Sequence, residues 1–276
     1  MSKNITNEVI TLLAPYTVEL KDFKQIENTP FRLNAMNGVY APAKAGKTYF
    51  VLEQLNSISS NYDVIWLDGD RNSELKDKFL NITHIALDNT TEAFNCLVDS
   101  SKYFSETIFI IDSFKDFSFG YDTDTNLGCQ TVMNIYQKLL DLGATIVIIF
   151  HSTKTYNDKS SDFKIKGNAD TIKSKLDFLY KLHRTKDDFV NLTVVCAREE
   201  GLQPKDILPY GNAKAIKNRI KEAVTKNPNI TLRELTRESG LSAYKDMVRN
   251  LEGTFYEVVK IKGSGGGRPK EVVKLI

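Results

Sequence analysis

The sequence predicts an α/β fold: a mostly parallel sheet covered on both faces by helices, prolonged by an antiparallel extension and followed by a small C-terminal module. Three observations carry this reading. Short apolar runs alternate with helical segments between residues 38 and 150, and strands that are apolar throughout belong to parallel sheets buried on both sides. A Gly-Lys-Thr loop lies between the first of these strands and the first helix. The charge also changes sign along the chain: residues 213–276 carry 14 Lys/Arg and 7 Asp/Glu, whereas residues 1–212 carry 23 and 28. Opposite net charges suggest two modules, the basic one suited to a polyanion.

The bulk properties exclude several classes. A chain of 276 residues holds one sizeable core and a smaller module. With 41% hydrophobic and 26% charged residues it has an ordinary globular composition. No apolar run approaches the ~20 residues that span a bilayer. Met1-Ser2-Lys3-Asn4 opens no signal-peptide pattern. The expected location is cytoplasmic, with no membrane partner. Cys96, Cys129 and Cys196 are odd in number and widely spaced, which fits a reducing compartment, small apolar packing roles and no zinc site.

In chain order, residues 1–30 read as an entry segment with a helix from Ile5 to Leu13 and a break at Pro30. The core spans residues 31–203. The strand Gly38-Val39-Tyr40 enters the loop, and a helix from Thr48 to Ile58 leaves it. Asp63 to Leu67 is a buried strand that ends in Asp68-Gly69-Asp70-Arg71. Ile82 to Leu87 is a short apolar run, followed by a helix from Thr91 to Tyr103. Thr107 to Ile111 is a strand closed by Asp112. A loop from Phe114 to Asn126 precedes a helix from Leu127 to Leu142, and Thr145 to Phe150 is a strand closed by His151. Thr153 to Lys166 is polar and loop-like, and Ala169 to Lys175 a short helix. Leu176 to His183 and Phe189 to Ala197 form an antiparallel hairpin-like extension. Residues 204–212, with Pro204 and Pro209, read as a linker.

Ligands of such sheets bind beyond the carboxyl ends of the strands. Ala41-Pro42-Ala43-Lys44-Ala45-Gly46-Lys47-Thr48 has the form GxxxxGK[ST] except for its opening residue. In such a loop, backbone amides and the helix N-terminus hold the α- and β-phosphates. Lys47 reaches the β/γ-phosphates and Thr48 holds Mg²⁺; Tyr49 follows on the same turn. Ala41 stands where glycine is usual, so a reshaped loop entry is expected. Asp112 is placed to hold the Mg²⁺ water shell. Asp70 is placed to orient or deprotonate an attacking water, with Asp68 as its competitor and a solvated Asp-Gly-Asp turn as the plainer reading. His151 would sense the γ-phosphate, or would simply bond a neighbouring loop. The expected ligands are ATP and Mg²⁺.

This order resembles the RecA-like ATPases: phosphate loop, acidic strand end, apolar run with Asp112-Ser113, His151-x-x-Lys154, then a strand ending near Arg198. Within them it is similar to the replicative helicases of the RepA type and their AAA-family ATPase relatives. The resemblance covers about residues 30–201. It implies a RecA-type core and ATP hydrolysis at subunit interfaces of a ring-like homo-oligomer, often a hexamer. It implies Asp70 as the catalytic acid, where the family usually has glutamate, and His151 as the strand-end sensor. Arg198, in Val195-Cys196-Ala197-Arg198-Glu199-Glu200-Gly201, would be a finger supplied to the neighbour's nucleotide. Cys196 stands where the family often has lysine.

In the C-terminal module, Ile216, Ile220 and Val224 predict an amphipathic helix over Ala213 to Lys226. Thr231 and Glu234 form a capping-box pattern for a second helix, and Ser242 would cap a third, Ala243 to Leu251. Phe255 to Lys262 and Glu271 to Ile276 are strand-like and flank a glycine-rich tip. Three helices and a hairpin resemble a winged-helix domain over 213–276. Ser242, Lys245, Arg249, Lys262, Arg268 and Lys270 are its candidate DNA-binding residues. The alternative is a module for subunit contacts. Together these features predict an ATPase acting on DNA, helicase-like in replication or recombination. An ATP-switched DNA-binding regulator is one rival. A P-loop kinase is another, opposed by the antiparallel extension and Arg198.

Overall fold

In a computed structural model the described residues are 14, 22–71, 73–100, 102–153, 163–184, 189–211, 213–241, 245–249, 251–253, 255–261 and 270–276. All structural statements concern these. The helix expected over Ile5 to Leu13 lies outside them, as do Lys154, Ser242, Lys262 and Arg268.

A short hairpin, β1 (Lys24–Gln25) with β2 (Arg32–Leu33), precedes the core. The core is one sheet. Its parallel strands are β3 (Met36–Ala41), β4 (Asp63–Asp68), β5 (Thr83–Ala86), β6 (Thr107–Asp112), β7 (Thr145–His151) and β8 (Phe178–Arg184). The antiparallel strands β9 (Phe189–Ala197) and β10 (Ile207–Gly211) extend it, giving the order β10-β9-β8-β3-β7-β6-β4-β5. β3 enters the middle of the sheet, and its one buried polar side chain is fully paired. Asn37 Oδ1 accepts from Arg32 N–H, while its Nδ2 donates to the carbonyls of Arg32, Ala35 and Ile146.

The helices are α1 (Lys47–Asn56), α2 (Ser73–Lys76), α3 (Thr90–Asp99), α4 (Asn126–Asp141) and α5 (Ala169–Lys175). Strand periodicity assigns their sides. Ile108 and Ile110 of β6 join Phe50, Val51, Leu52 and Leu55 of α1 in one apolar cluster. Phe109 and Ile111 join Phe94 of α3 and Val132, Met133 and Tyr136 of α4 in the other. Side-chain caps explain three helix starts: Asn89 accepts from Glu92 N–H, Thr125 from Gly128 N–H and Asn168 from Thr171 N–H. α3 stops at Asp99 and not at Tyr103. Ser100 Oγ turns back onto the Leu97 carbonyl, the competition by which serine favours helix ends.

The stretch expected as a linker instead holds β10, which pairs with β9 from Ile207↔Thr193 to Gly211↔Phe189. Pro209 does not prevent this, because β10 is an edge strand and a proline without an N–H is tolerated there. β5 is the opposite edge, which is why Ile85 is exposed within an apolar run.

Residues beyond 212 pack around a third cluster of their own. α6 (Ala213–Lys226) supplies Ile216, Ile220 and Val224, α7 (Leu232–Glu238) supplies Leu235, and α8 (Lys245–Arg249) supplies Val248. The antiparallel hairpin β11 (Tyr256–Ile261) and β12 (Lys270–Leu275) adds Tyr256 and Val273. The capping box forms as its spacing predicts, with Thr231 and Glu234 serving each other's backbone. Arg219 donates to the Ser239 carbonyl, and Val273 N–H to that of Ile230, tying helices and hairpin together. No helix among the described residues is long and apolar enough to cross a membrane.

Candidate active site

The site lies where four neighbouring strands end. Parallel register aligns Ala41 with His151, Asp112 with Ile149, and Asp68 with Asp112. At ~4.8 Å between strands, these ends make a row roughly 14 Å long. Ala41 is an extended, buried residue of β3. The expected reshaping of the loop entry is therefore absent: this position needs no positive φ, so alanine serves. Positive φ falls instead on Lys44 (63°) and on Gly46 (79°), the N-cap of α1. Pro42, Ala43 and Ala45 complete the loop, and Ala45 N–H closes onto the Pro42 carbonyl. Lys47 Nζ donates to the same carbonyl at 3.1 Å. Tyr49 packs edge-on against Phe79, a supporting contact beneath the loop.

Thr48 Oγ1 donates to Asp112 Oδ2 at 3.0 Å. This contact joins the start of α1 to the end of β6. Asp112 is 2% exposed. Burial pushes its carboxyl up to about 7, with Asp70 and Asp68 adding to the rise and the Thr48 hydroxyl opposing it. A buried carboxylate beside a hydroxyl is a donor set that suits a hard divalent cation. Burial also lowers the Lys47 ammonium, against the pull of Asp112 and Asp70.

The structure separates the two rival acids. Asp68 is fully buried, and its Oδ2 meets His84 Nε2 at 2.9 Å behind the strand ends. Asp70 is exposed and stands with Asp116 and His151, their ligand-type atoms all within 4.8 Å of one another. Partial desolvation of its carboxyl by the surrounding site raises Asp70, and the neighbouring charge of Asp116 adds to the rise. Burial lowers the His151 imidazole, helped by Lys47 and opposed by Asp70 and Asp116. Sequence reasoning missed Asp116. Its signal was the Ser-x-x-Asp spacing from Ser113, whose hydroxyl donates to Asp116 Oδ2 at 2.5 Å. Gly69 makes room for it, since a Cβ there would sit 2.6 Å from Asp116 Cβ.

Arg198 is not brought to this row. Its backbone N–H donates to the Asp177 carbonyl, and its guanidinium pairs with the Asp177 carboxylate at 3.2 Å and with the Ser174 carbonyl at 2.6 Å. Asp177 N–H in turn bonds the Met36 carbonyl, at the start of β3. Arg198 therefore lies at the amino end of β3, roughly 17 Å along the strand from the start of the phosphate loop. Its side chain is 53% exposed. Lys245 and Arg249 are exposed on α8, and Lys270 opens β12.

No family model matches the chain, and no curated protein matches it. Solved structures do. One is the ATPase domain of another protein, 13% identical with a TM-score of 0.50, over 66% of this chain and 83% of that one. Another is the RadB recombinase, 9% identical with a TM-score of 0.47, over 65% of this chain and 87% of that one. With the strand order above, the first likeness defines the class: the core is a RecA-like α/β fold.

The raised Asp112 carboxyl sets a pH dependence. Between about pH 4 and about pH 7 the native state keeps a proton that the unfolded carboxyl has released. Stability of the ligand-free protein therefore falls as pH rises through that window, by on the order of a few kcal/mol from this group. Asp112→Asn keeps an oxygen for Thr48 and should remove that part of the slope. Urea denaturation at pH values on either side of the window checks this. Equal slopes for the two proteins would show that Asp112 is not the group.

Proposed function

We propose that this chain is a Mg²⁺-dependent ATPase that works on DNA, helicase-like in replication or recombination. The observation that carries the ATPase reading is the Thr48–Asp112 contact at the mouth of a phosphate loop, with Lys47 folded over that loop. Residues 41–49 would cradle the triphosphate, and Lys47 would leave the Pro42 carbonyl for the β/γ-phosphates. Thr48 and Asp112 would hold Mg²⁺, which when bound supplies charge neutralisation to the phosphates. Asp70 would orient the attacking water, since Asp68 is committed to His84. His151 would stand at the γ-phosphate side.

Arg198 supports a ring-like homo-oligomer, of which a hexamer is one form. It is too far along β3 to serve its own loop, yet exposed and anchored by Asp177. Such a residue would serve the site of a neighbouring subunit. The DNA reading rests on residues 213–276, read as a winged-helix domain. Three helices, an antiparallel hairpin, the basic excess and the exposed pair Lys245/Arg249 support it. Lys270 would add a contact, as would Arg268, which lies outside the described residues.

Lys47→Ala should abolish turnover, because Lys47 is the cation that the loop itself brings to the β/γ-phosphates. Arg198→Ala should reduce it by about 10³–10⁵ if the residue acts as a finger. Mixed subunits of the two variants should regain activity, since some interfaces then join an intact loop to an intact arginine. Phosphate release by the co-assembled mixture measures this. No recovery would place Arg198 outside the site.

Duplex affinity should fall steeply with salt, with a slope of about −0.9 per phosphate neutralised. Lys245→Ala or Arg249→Ala in the full chain should alter which sequences bind if α8 reads bases, whereas a phosphate contact would flatten the slope by about one. Titrations over a salt series on two unrelated duplexes separate these. An effect on neither would assign α8 to a protein contact.

A further inference from the structure

The hydroxyl of Ser113 stands between two partners. It donates to Asp116 Oδ2 at 2.5 Å and lies 3.1 Å from His151 Nε2. A serine hydroxyl has one proton and two lone pairs, and an ionised carboxylate only accepts. With its proton directed at Asp116, Ser113 has only lone pairs to turn to the imidazole. The ring nitrogen facing it must then be the one that carries hydrogen. We propose that Asp116 is a positioning residue: acting through Ser113, it holds His151 as the Nε2–H tautomer and leaves Nδ1 as a lone-pair acceptor.

Asp116 is built into place for this. Its N–H, and that of Phe117, close a turn onto the Ser113 carbonyl, so Ser113 and Asp116 share one face of the turn. Thr90 Oγ1 donates to the Asp116 carbonyl at 2.7 Å. Gly69 backs its Cβ with no room for a side chain of its own. Ser113 is fully buried, so water does not compete for its proton. Burial and Lys47 favour the neutral ring of His151, the form in which the two nitrogens differ.

The consequence rests on the ATPase reading. A neutral imidazole whose Nε2–H is already engaged offers a ligand only an acceptor. His151 would then take a hydrogen bond from the attacking water, and would not donate one to a phosphate oxygen. The end of β6 thereby decides what the end of β7 presents to the nucleotide. A carboxylate oxygen of Asp116 also lies within 4.8 Å of one of Asp70, so the same residue stands beside both groups on the γ-phosphate side.

The tautomer can be read without nucleotide. The chain has three histidines, and long-range nitrogen-15 correlation spectra of histidine-labelled full-length protein at mildly alkaline pH distinguish Nε2–H from Nδ1–H. His151→Gln assigns the signal. The wild type should show Nε2–H at His151. Asp116→Ala frees the Ser113 proton and should move His151 to Nδ1–H, with kcat for ATP falling at least tenfold and KM little changed. Asp116→Asn has an oxygen to accept the same proton, so it should keep Nε2–H and more of the turnover. Nδ1–H in the wild type overturns the proposal whether or not the variants fold. So does Nε2–H retained in Asp116→Ala, or a tautomer change without loss of kcat. If the protein does not turn over ATP at all, the spectra still decide the tautomer, and the ATPase reading fails separately.

Discussion

The register of four parallel strands is the constraint on which the rest depends. β3, β7, β6 and β4 are paired so that Ala41 ends beside His151 and, two residues lower, Asp112 ends beside Asp68. A slip of one residue in any pair would turn a terminal polar side chain toward the opposite face. Burial of both faces forbids that slip. Ile108 and Ile110 belong under α1, and Phe109 and Ile111 under α4. The apolar interiors of β4, β6 and β7 thus fix where the polar last residue of each stands, and the Thr48–Asp112 contact then ties the loop helix to them.

Within that row, burial sets the chemistry more than pairing does. Asp112 carries a raised carboxyl because the water it has lost outweighs the opposing pull of the Thr48 hydroxyl and Trp66. Lys47 is lowered for the same reason. Each group is costly to charge while alone, and each is suited to a partner of opposite charge brought from outside. Asp68 is buried as well, but His84 answers it from β5. That difference in partners separates a structural carboxylate from those free to meet a ligand, although the two kinds lie on adjacent strands.

What could be read from the sequence was local. Gly46-Lys47-Thr48 after a strand, Asp112 and His151 closing apolar runs, and Thr231 with Glu234 before a helix each declare themselves within a few residues, and each stands where its pattern placed it. What could not be read depended on contacts between distant segments. Pro209 looked like a breaker because nothing local says that β10 has a free edge. Asp68 and Asp70 stayed equivalent until His84, on another strand, claimed one of them. Asp116 lay inside an apparent loop, and its role required Gly69 and His151 to be folded against it. Ala41 looked like a departure only because a motif records residue types and not the φ each position needs.

In the proposed function the strand ends bind and cleave a nucleoside triphosphate with a divalent cation, and the C-terminal module links this to DNA. Steady-state phosphate release by the unmodified protein tests it most directly, with ATP in the presence of Mg²⁺, of a chelator, and of Mg²⁺ with added DNA. Turnover is expected with Mg²⁺, none with the chelator, and a higher rate with DNA. Absence of turnover in all three, from a folded sample, would contradict it.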